Sequence, residues 1–228
     1  MRKLLSNSLL SVLAGFLIGL GGYVNLICNL KLNSAIGGAI FFATGLIFIC
    51  FLELNLYTGK VGYVFENNID YSIDVFVMAI GNFIGAALMG SIFMVTNPFT
   101  DAEISYYISQ KIVTNNSSYT WFMLLLKGVL AGICVFLAVE GFKKIEHSVA
   151  KIIGVALPIA IMVIIGGEHS VANVFYFVGC ARGINQTYRL FVFSSLLLSI
   201  LGNILGAWFI WLLLTLGKKI AKKEEKKE

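Results

Sequence analysis

The string EHSVA occurs twice in this chain, and the two copies carry both of its histidines. The first copy, residues 146–150, places His147 among lysines, whereas the second, residues 168–172, places His169 after an apolar run. An imidazole in water needs no explanation, but an ionisable side chain within apolar sequence is costly and usually serves ligand binding or proton transfer. The two copies therefore predict different roles, with His147 at a surface and His169 in a functional site.

The chain as a whole is too apolar for a soluble protein. Of its 228 residues, 58% are hydrophobic and 13% are charged, and the mean hydropathy is +0.88; a soluble domain carries about a quarter charged residues. A helix needs about 20 apolar residues to cross a bilayer. Six stretches reach that length: residues 9–28, 36–65, 73–95, 121–142, 149–178 and 190–216. We predict an all-α membrane protein in which a single domain, residues 1–228, crosses the membrane six times.

The basic residues predict the orientation of the chain. With six spans both termini share one side, and most of the 17 basic residues fall there, including Lys143, Lys144 and the lysines between Lys218 and Lys227. Because cytoplasmic loops carry an excess of lysine and arginine, we predict a multi-pass protein of the inner membrane with both termini cytoplasmic. The tail, residues 218–228, is expected to be a solvated helix end that touches anionic lipid and does not bind nucleic acid.

A repeated motif divides the chain into two halves. Residues 81–86 and residues 202–207 both read G-N-x-x-G-A, and glycines four apart let a neighbouring helix approach closely. The motif closes each half, about residues 1–97 and 120–217, and each half holds three spans. Because three is an odd number, the second half must enter the membrane the opposite way up. We predict two inverted three-span repeats, with a site between the halves.

The second and fifth stretches are longer than one span requires, and each is interrupted. Thirty residues make a helix of about 45 Å, against a hydrocarbon layer of about 30 Å. The interruptions are polar or glycine-rich, at residues 55–60 and 166–169. Irregular backbone is tolerated at membrane depth only where it lines a cavity or is buried in protein. We predict that the second and fifth helices are broken and that the breaks face each other across a pathway.

At these breaks the sequence resembles the formate/nitrite transporter family of pentameric anion channels. The resemblance rests on residues 167–173, GEHSVAN, on residues 56–58, LYT, and on the two G-N-x-x-G segments, and it covers about the whole chain in order. It implies an aquaporin-like fold and a homopentamer with one pore in each protomer. It also implies a central His169 that lies opposite Thr58.

The same resemblance implies roles for further side chains. The aligned hydrophobic constrictions are Phe42, Leu46, Leu56 and Tyr57 towards one vestibule, with Val135 and Met162 elsewhere along the pore. Glu168 is expected to cap backbone N–H groups at the start of a half-helix and to point away from the lumen. Asn173 completes the matched string and supports the site. Lys127 and Lys111 are both candidates for the family's outer-side lysine.

Three positions differ from the family's formate-conducting members and make the chain similar to its hydrosulfide-channel branch. Met162 and Tyr57 stand where those members carry phenylalanine, and Gly132 stands where an asparagine joins the histidine's network. The resemblance thus implies a channel for small monovalent anions, above all HS⁻, with formate or nitrite as further substrates. A proton-coupled formate/nitrite transporter is an alternative that the sequence leaves open.

Two other function classes fit less well. A membrane enzyme with a metal site on Glu168, His169 and Cys134 would have too few ligands. The four cysteines do not have the spacing of a metal site, and we interpret them as small apolar packing residues. An aquaporin-type channel for neutral solutes shares the inverted-repeat plan and remains an alternative, although neither break carries Asn-Pro-Ala. We expect a channel that is not an enzyme and needs no cofactor or metal.

Overall fold

The computed structural model describes residues 2–112, 120–184 and 186–225, and its regular elements in those ranges are helices. They are α1 Arg2–Leu30, α2 Ala35–Phe51, α3 Tyr57–Lys60, α4 Ile69–Thr96, α5 Asp101–Ser109, α6 Trp121–Lys144, α7 Ser148–Ile164, α8 Ser170–Gly179 and α9 Gln186–Glu224. Short 3-10 segments, Val61–Glu66 and Ala181–Gly183, follow α3 and α8. The prediction of an all-α protein is confirmed for the part of the chain described.

Within those residues, four helices are long and apolar enough to cross a membrane. They are Leu5–Leu30, Ile69–Thr96, Trp121–Lys144 and Phe191–Glu224. Three others, α2, α7 and α8, are apolar but shorter. In each of the two long stretches that the sequence marks as interrupted, the helix stops and starts again: residues 52–56 separate α2 from α3, and residues 165–169 separate α7 from α8.

The repeated glycines lie where long helices cross at backbone contact. A Cβ added to Gly85 on α4 would lie 1.8 Å from the carbonyl oxygen of Val12 on α1. In the second half, a Cβ on Gly206 of α9 would lie 2.1 Å from the carbonyl oxygen of Val129 on α6. Only glycine permits such an approach, so two pairs of long helices cross at backbone contact, α1 with α4 and α6 with α9.

We expect Gly206→Ala to destabilise the protein by about 1–3 kcal/mol, because its methyl group would force α6 and α9 apart. The measurement is the thermal unfolding of the detergent-solubilised protein. Gly217→Ala, also on α9, is the matched control, since nothing lies within 4 Å of a Cβ at that position. The same melting temperature for both variants would contradict the prediction.

An amphipathic helix between the halves, α5, was not predicted from the sequence. It begins with a capping box in which Thr100 Oγ1 accepts from the Glu103 amide at 3.3 Å and a Glu103 carboxylate oxygen accepts from the Thr100 amide at 2.8 Å. The Thr100 amide and the Thr100 hydroxyl both donate to the Glu103 carboxylate, and these two bonds hold the pKa of that carboxyl below its usual value. The helix buries Ile104 and Ile108. A threonine followed three residues later by glutamate was the available signal.

Candidate functional site

A buried asparagine, Asn82 of α4, holds the first interruption. Its Nδ2 donates to the carbonyl oxygens of Ser11, at 2.8 Å, and Asn55, at 2.7 Å. Its Oδ1 accepts from the backbone amide of Tyr57 at 2.9 Å. One side chain therefore connects the long helix α1, the irregular segment and the first residue of α3.

Asn203 of α9 holds the second interruption in the same way. Its Nδ2 donates to the carbonyl oxygens of Gly128 and Glu168, both at 2.9 Å. Its Oδ1 accepts from the amide of Ser170 at 2.9 Å. The two sets correspond group for group: a carbonyl of the preceding long helix, a carbonyl of the interruption and the first amide of the short helix. Sequence reasoning interpreted the G-N-x-x-G motif through its glycines and missed the asparagines, whose signal was a polar residue at the same place in two apolar runs.

The two interruptions meet at Thr58 and His169. Thr58 Oγ1 lies 3.0 Å from His169 Nε2, and the two residues are 0% and 2% exposed. His169 is also the N-cap of α8, where its Nδ1 accepts from the Ala172 amide at 3.4 Å. Because Nδ1 accepts, this hydrogen-bond pattern assigns a neutral ring with its proton on Nε2, donated to Thr58. The hydroxyl proton of Thr58 is then available for another acceptor.

A cavity of about 320 Å³ opens next to His169, and we call it the histidine cavity. A second cavity of about 330 Å³, the lysine cavity, is lined by Lys60, Lys143 and Lys151. The histidine cavity reaches Lys127, near the start of α6, and the lysine cavity reaches Lys143, near its end. The two cavities therefore lie towards opposite ends of α6.

Several of the predicted site residues line these cavities. The histidine cavity is lined by Phe42, Lys127, Met162, Glu168, His169 and Asn173, and the lysine cavity by Leu56. Leu46 and Val135 are buried and line neither. Leu46 lies on α2 one turn after Phe42, and Val135 lies on α6 one turn before Val139, which lines the lysine cavity. Residues one turn apart share a helix face, so Leu46 and Val135 lie between the two cavities.

Tyr57, which the resemblance places at an apolar constriction, also forms a hydrogen bond that the sequence did not predict. Its ring packs edge-on against Phe83, with centroids 5.9 Å apart. Its hydroxyl hydrogen-bonds the hydroxyl of Ser170 at the start of α8. The side chain thus lies between the two short helices, and it lines neither cavity.

Gly132, which stands where other family members carry an asparagine, lies at a close helix crossing. A Cβ at this position would lie 2.2 Å from the carbonyl oxygen of Asn203, and a Cβ on Gly15 would lie 1.9 Å from that of Asn82. The two glycines therefore occupy equivalent helix crossings. An asparagine could not fit at position 132 in this packing, so Gly132 permits the close contact of α6 with α9.

Charged groups in the histidine cavity involve Lys111, Lys127 and Glu168. Lys111 Nζ lies 3.4 Å from the Glu168 carboxylate and 4.8 Å from the centre of the Tyr176 ring. The carboxylate therefore faces a cation, and the side chain that caps α8 is His169 instead of Glu168. Of the two candidate lysines, Lys111 pairs with Glu168, and Lys127 lines the same cavity.

Asn173 lies at the wall of this cavity with its amide unused. The side chain is buried, and neither Nδ2 nor Oδ1 has a hydrogen-bond partner in the structure. A buried amide without partners is costly, and here it borders a space large enough for water or a small solute. Asn173 is thus placed to bind whatever occupies the histidine cavity.

Comparison with known proteins agrees with this architecture. A family model described as "Formate/nitrite transporter" matches residues 2–216. A solved structure described as "Pentameric formate channel with formate bound" is similar, with a TM-score of 0.76 and 20% identity over 94% of this chain and 98% of that one. Another, described as "FNT family ion channel", has a TM-score of 0.81 and 21% identity over 95% and 90%. At these identities the two structures show a shared fold. No curated protein matches the sequence.

Proposed function

Because the chain belongs to the formate/nitrite transporter family, we propose that it is a channel for small monovalent anions, with HS⁻ as its principal substrate and formate and nitrite as weaker ones. The observation that carries the proposal is the buried Thr58–His169 pair, with a lysine-bearing cavity towards either end of α6. Lysines at both cavities raise the local concentration of anions. The Thr58–His169 pair offers hydrogen bonds to the anion between the two cavities.

The membrane arrangement that we propose has six spans in two inverted repeats. Four spans are the long helices α1, α4, α6 and α9, and the other two are the broken helices α2 with α3 and α7 with α8. The matching hydrogen bonds of Asn82 and Asn203 support this plan, because they hold the two interruptions in equivalent ways. Irregular backbone in a membrane must be satisfied within the protein, and these two side chains supply that satisfaction.

Passage of the anion follows from the order of the groups. An anion in either cavity is partly hydrated and attracted by lysine. Between the cavities it meets Leu46 and Val135, where water is excluded and the loss of hydration must be offset. The positive end of the α8 dipole lies there, and the hydroxyl proton of Thr58 is available because His169 donates its own proton to the hydroxyl oxygen. HS⁻ is small and weakly hydrated, so it loses the least hydration energy at this point.

The hydrogen bonds of His169 favour a channel over proton-coupled transport through this ring. A second proton would have to enter at Nδ1, which already accepts from the Ala172 amide. Protonation would make Nδ1 a donor that faces the Ala172 amide, which is also a donor. The ring would therefore have to turn away from the start of α8 before it could be protonated. An anion can accept a hydrogen bond from Thr58 with no such rearrangement.

We propose a homopentamer in which lipid and neighbouring protomers share the apolar surface. The similar formate channel is described as pentameric. Many large apolar side chains are exposed on the isolated chain, among them Phe76 and Phe193, each 67% exposed. Patches of this kind mark surfaces that contact protein or membrane.

Both termini are proposed to be cytoplasmic, and thiol labelling tests this orientation. The background protein has its four cysteines replaced by alanine, and single cysteines are placed at Tyr106 on α5 or at Lys223 near the end of α9. We expect a membrane-impermeant reagent to label Tyr106→Cys in intact spheroplasts and Lys223→Cys only after permeabilisation, because the positive-inside rule puts the lysine-rich helix end in the cytoplasm. Labelling of both from the same side would contradict the orientation.

Ion flux in proteoliposomes tests the function directly. We expect HS⁻ to pass faster than formate, nitrite or chloride in the same preparation, since it loses the least hydration energy at the constriction. Transport that needs a proton gradient would support the proton-coupled alternative. Transport of water or glycerol with no anion flux above protein-free liposomes would support the neutral-solute channel and overturn our proposal.

A further inference from the structure

We propose that the hydroxyl group of Tyr57 is a strut that fixes the separation of Thr58 and His169 and so limits the size of the anion that passes. This inference rests on the channel function proposed above and assigns a specificity-determining position within it. Tyr57 directly precedes Thr58, and Ser170, which holds its hydroxyl, directly follows His169. Two hydrogen bonds between α3 and the start of α8 therefore lie side by side.

Donor and acceptor capacity determines the direction of the bonds in the strut. Asn203 Oδ1 can only accept, and it accepts from the Ser170 hydroxyl at 2.7 Å as well as from the Ser170 amide at 2.9 Å. The single hydroxyl proton of Ser170 is thus committed to Asn203. The contact between the Tyr57 and Ser170 hydroxyls can then form in one way, with Tyr57 donating and Ser170 accepting.

Each end of the strut is attached to a different half of the protein. The backbone amide of Tyr57 is held by Asn82 of α4, and Ser170 is held by Asn203 of α9. The hydroxyl bond therefore links α4 to α9 through a rigid aromatic ring that packs on Phe83. Such a link resists separation of the short helices α3 and α8, whose first turns carry Thr58 and Ser170.

The neighbouring Thr58–His169 bond joins the same two short helices, but it also takes part in contact with the anion. Thr58 donates its hydroxyl proton to the anion while its oxygen accepts from His169 Nε2. The bond from Tyr57 to Ser170 has no hydroxyl proton left for an anion, because Tyr57 donates to Ser170 and Ser170 donates to Asn203. The gap at the pair is then held by a group that never contacts the permeating anion, which makes Tyr57 a positioning residue.

Tyr57→Phe removes the hydroxyl and leaves the ring in place. We expect the ratio of formate flux to HS⁻ flux to rise about fivefold, the change that corresponds to the loss of one ordinary hydrogen bond. Tyr23→Phe is the matched control, because its hydroxyl also bonds within the protein, to the Thr96 carbonyl at 3.3 Å, but at the α1–α4 contact. A rise in Tyr57→Phe alone supports the strut, whereas an unchanged ratio, or an equal rise in the control, overturns it.

Ser170→Ala and the double variant Tyr57→Phe/Ser170→Ala test the link itself. If the two hydroxyls act as one strut, the double variant shifts the flux ratio no further than Ser170→Ala alone, whereas independent, multiplying effects would overturn the proposal. If Ser170→Ala fails to assemble, Tyr57→Phe decides the question. The failure of the channel proposal can be distinguished from the failure of the strut. The channel proposal fails if the wild-type protein conducts no anion. The strut proposal fails if the wild-type protein conducts anions and Thr58→Ala reduces the flux, but Tyr57→Phe keeps the wild-type flux ratio.

Discussion

His169→Ala is expected to lower the ratio of HS⁻ flux to chloride flux by about tenfold or more while the oligomer persists. The substitution removes the donor to Thr58 and the acceptor for the Ala172 amide, and each lost hydrogen bond costs about 1 kcal/mol. The substitution also removes the imidazole, which is larger than the Thr58 side chain that it faces. The measurement is the flux of both anions in proteoliposomes, with native mass spectrometry to verify the assembly.

The second histidine provides the control within the same protein. His147 is exposed at the start of α7 and makes no capping hydrogen bond with its side chain, so His147→Ala should keep both fluxes within about twofold of wild type because an imidazole in water makes little net contribution. Thr58→Ala should behave like His169→Ala, since it removes the partner hydroxyl. Equal effects from the two histidines, or an effect from His147 alone, would show that the pathway has been placed wrongly.

Loss of either buried asparagine, Asn82 or Asn203, should destabilise the fold at least as much as Gly206→Ala does. Asn203→Ala removes the Asn203 bonds to the Ser170 amide and to the Glu168 carbonyl, and it also removes a second bond to the Gly128 carbonyl, which keeps its bond within α6. An unsatisfied buried group costs about 1–3 kcal/mol, so we expect a loss of about 3 kcal/mol or more, seen as a lower unfolding temperature and a smaller yield of folded protein. Asn82→Ala should have a similar effect, because Asn82 holds the equivalent groups.

An asparagine that holds neither interruption is the control, because it shows the effect of replacing any asparagine by alanine. Asn67 is exposed, and its side chain donates to the Tyr63 carbonyl at 2.8 Å. Water can replace that bond, so Asn67→Ala should change stability by no more than about 0.5 kcal/mol. If Asn203→Ala proved as stable as Asn67→Ala, the hydrogen bonds of Asn203 would make no net contribution to stability.

The two interruptions were predictable because their signals are local. Polar residues and glycines stand out when they interrupt apolar sequence, independently of distant parts of the chain. The pairing of Thr58 with His169 was implied by the resemblance to the family. The structure brings these residues within 3.0 Å of each other across 111 positions of sequence.

Roles that depend on which neighbour a side chain meets were not predictable in this way. Tyr57 and Ser170 are 113 residues apart, and nothing in the composition of either segment shows that their hydroxyl groups would form a hydrogen bond. The sequence does not show whether Gly132 replaces a polar side chain or allows the backbone of another helix to approach. Its proximity to the Asn203 carbonyl exists only once α6 and α9 are packed.

The sequence by itself determined that this protein is all-α and rich in apolar helices, that its two halves repeat one motif, and that His169 differs from His147. These properties follow from hydrophobicity and spacing along the chain, which act over one or two helical turns. The tertiary structure alone decided that Lys111 pairs with Glu168 and that Asn82 and Asn203 hold the interruptions. A hydrogen bond or an ion pair depends on distances of about 3 Å between side chains, and helix packing sets those distances only after distant parts of the chain have come together.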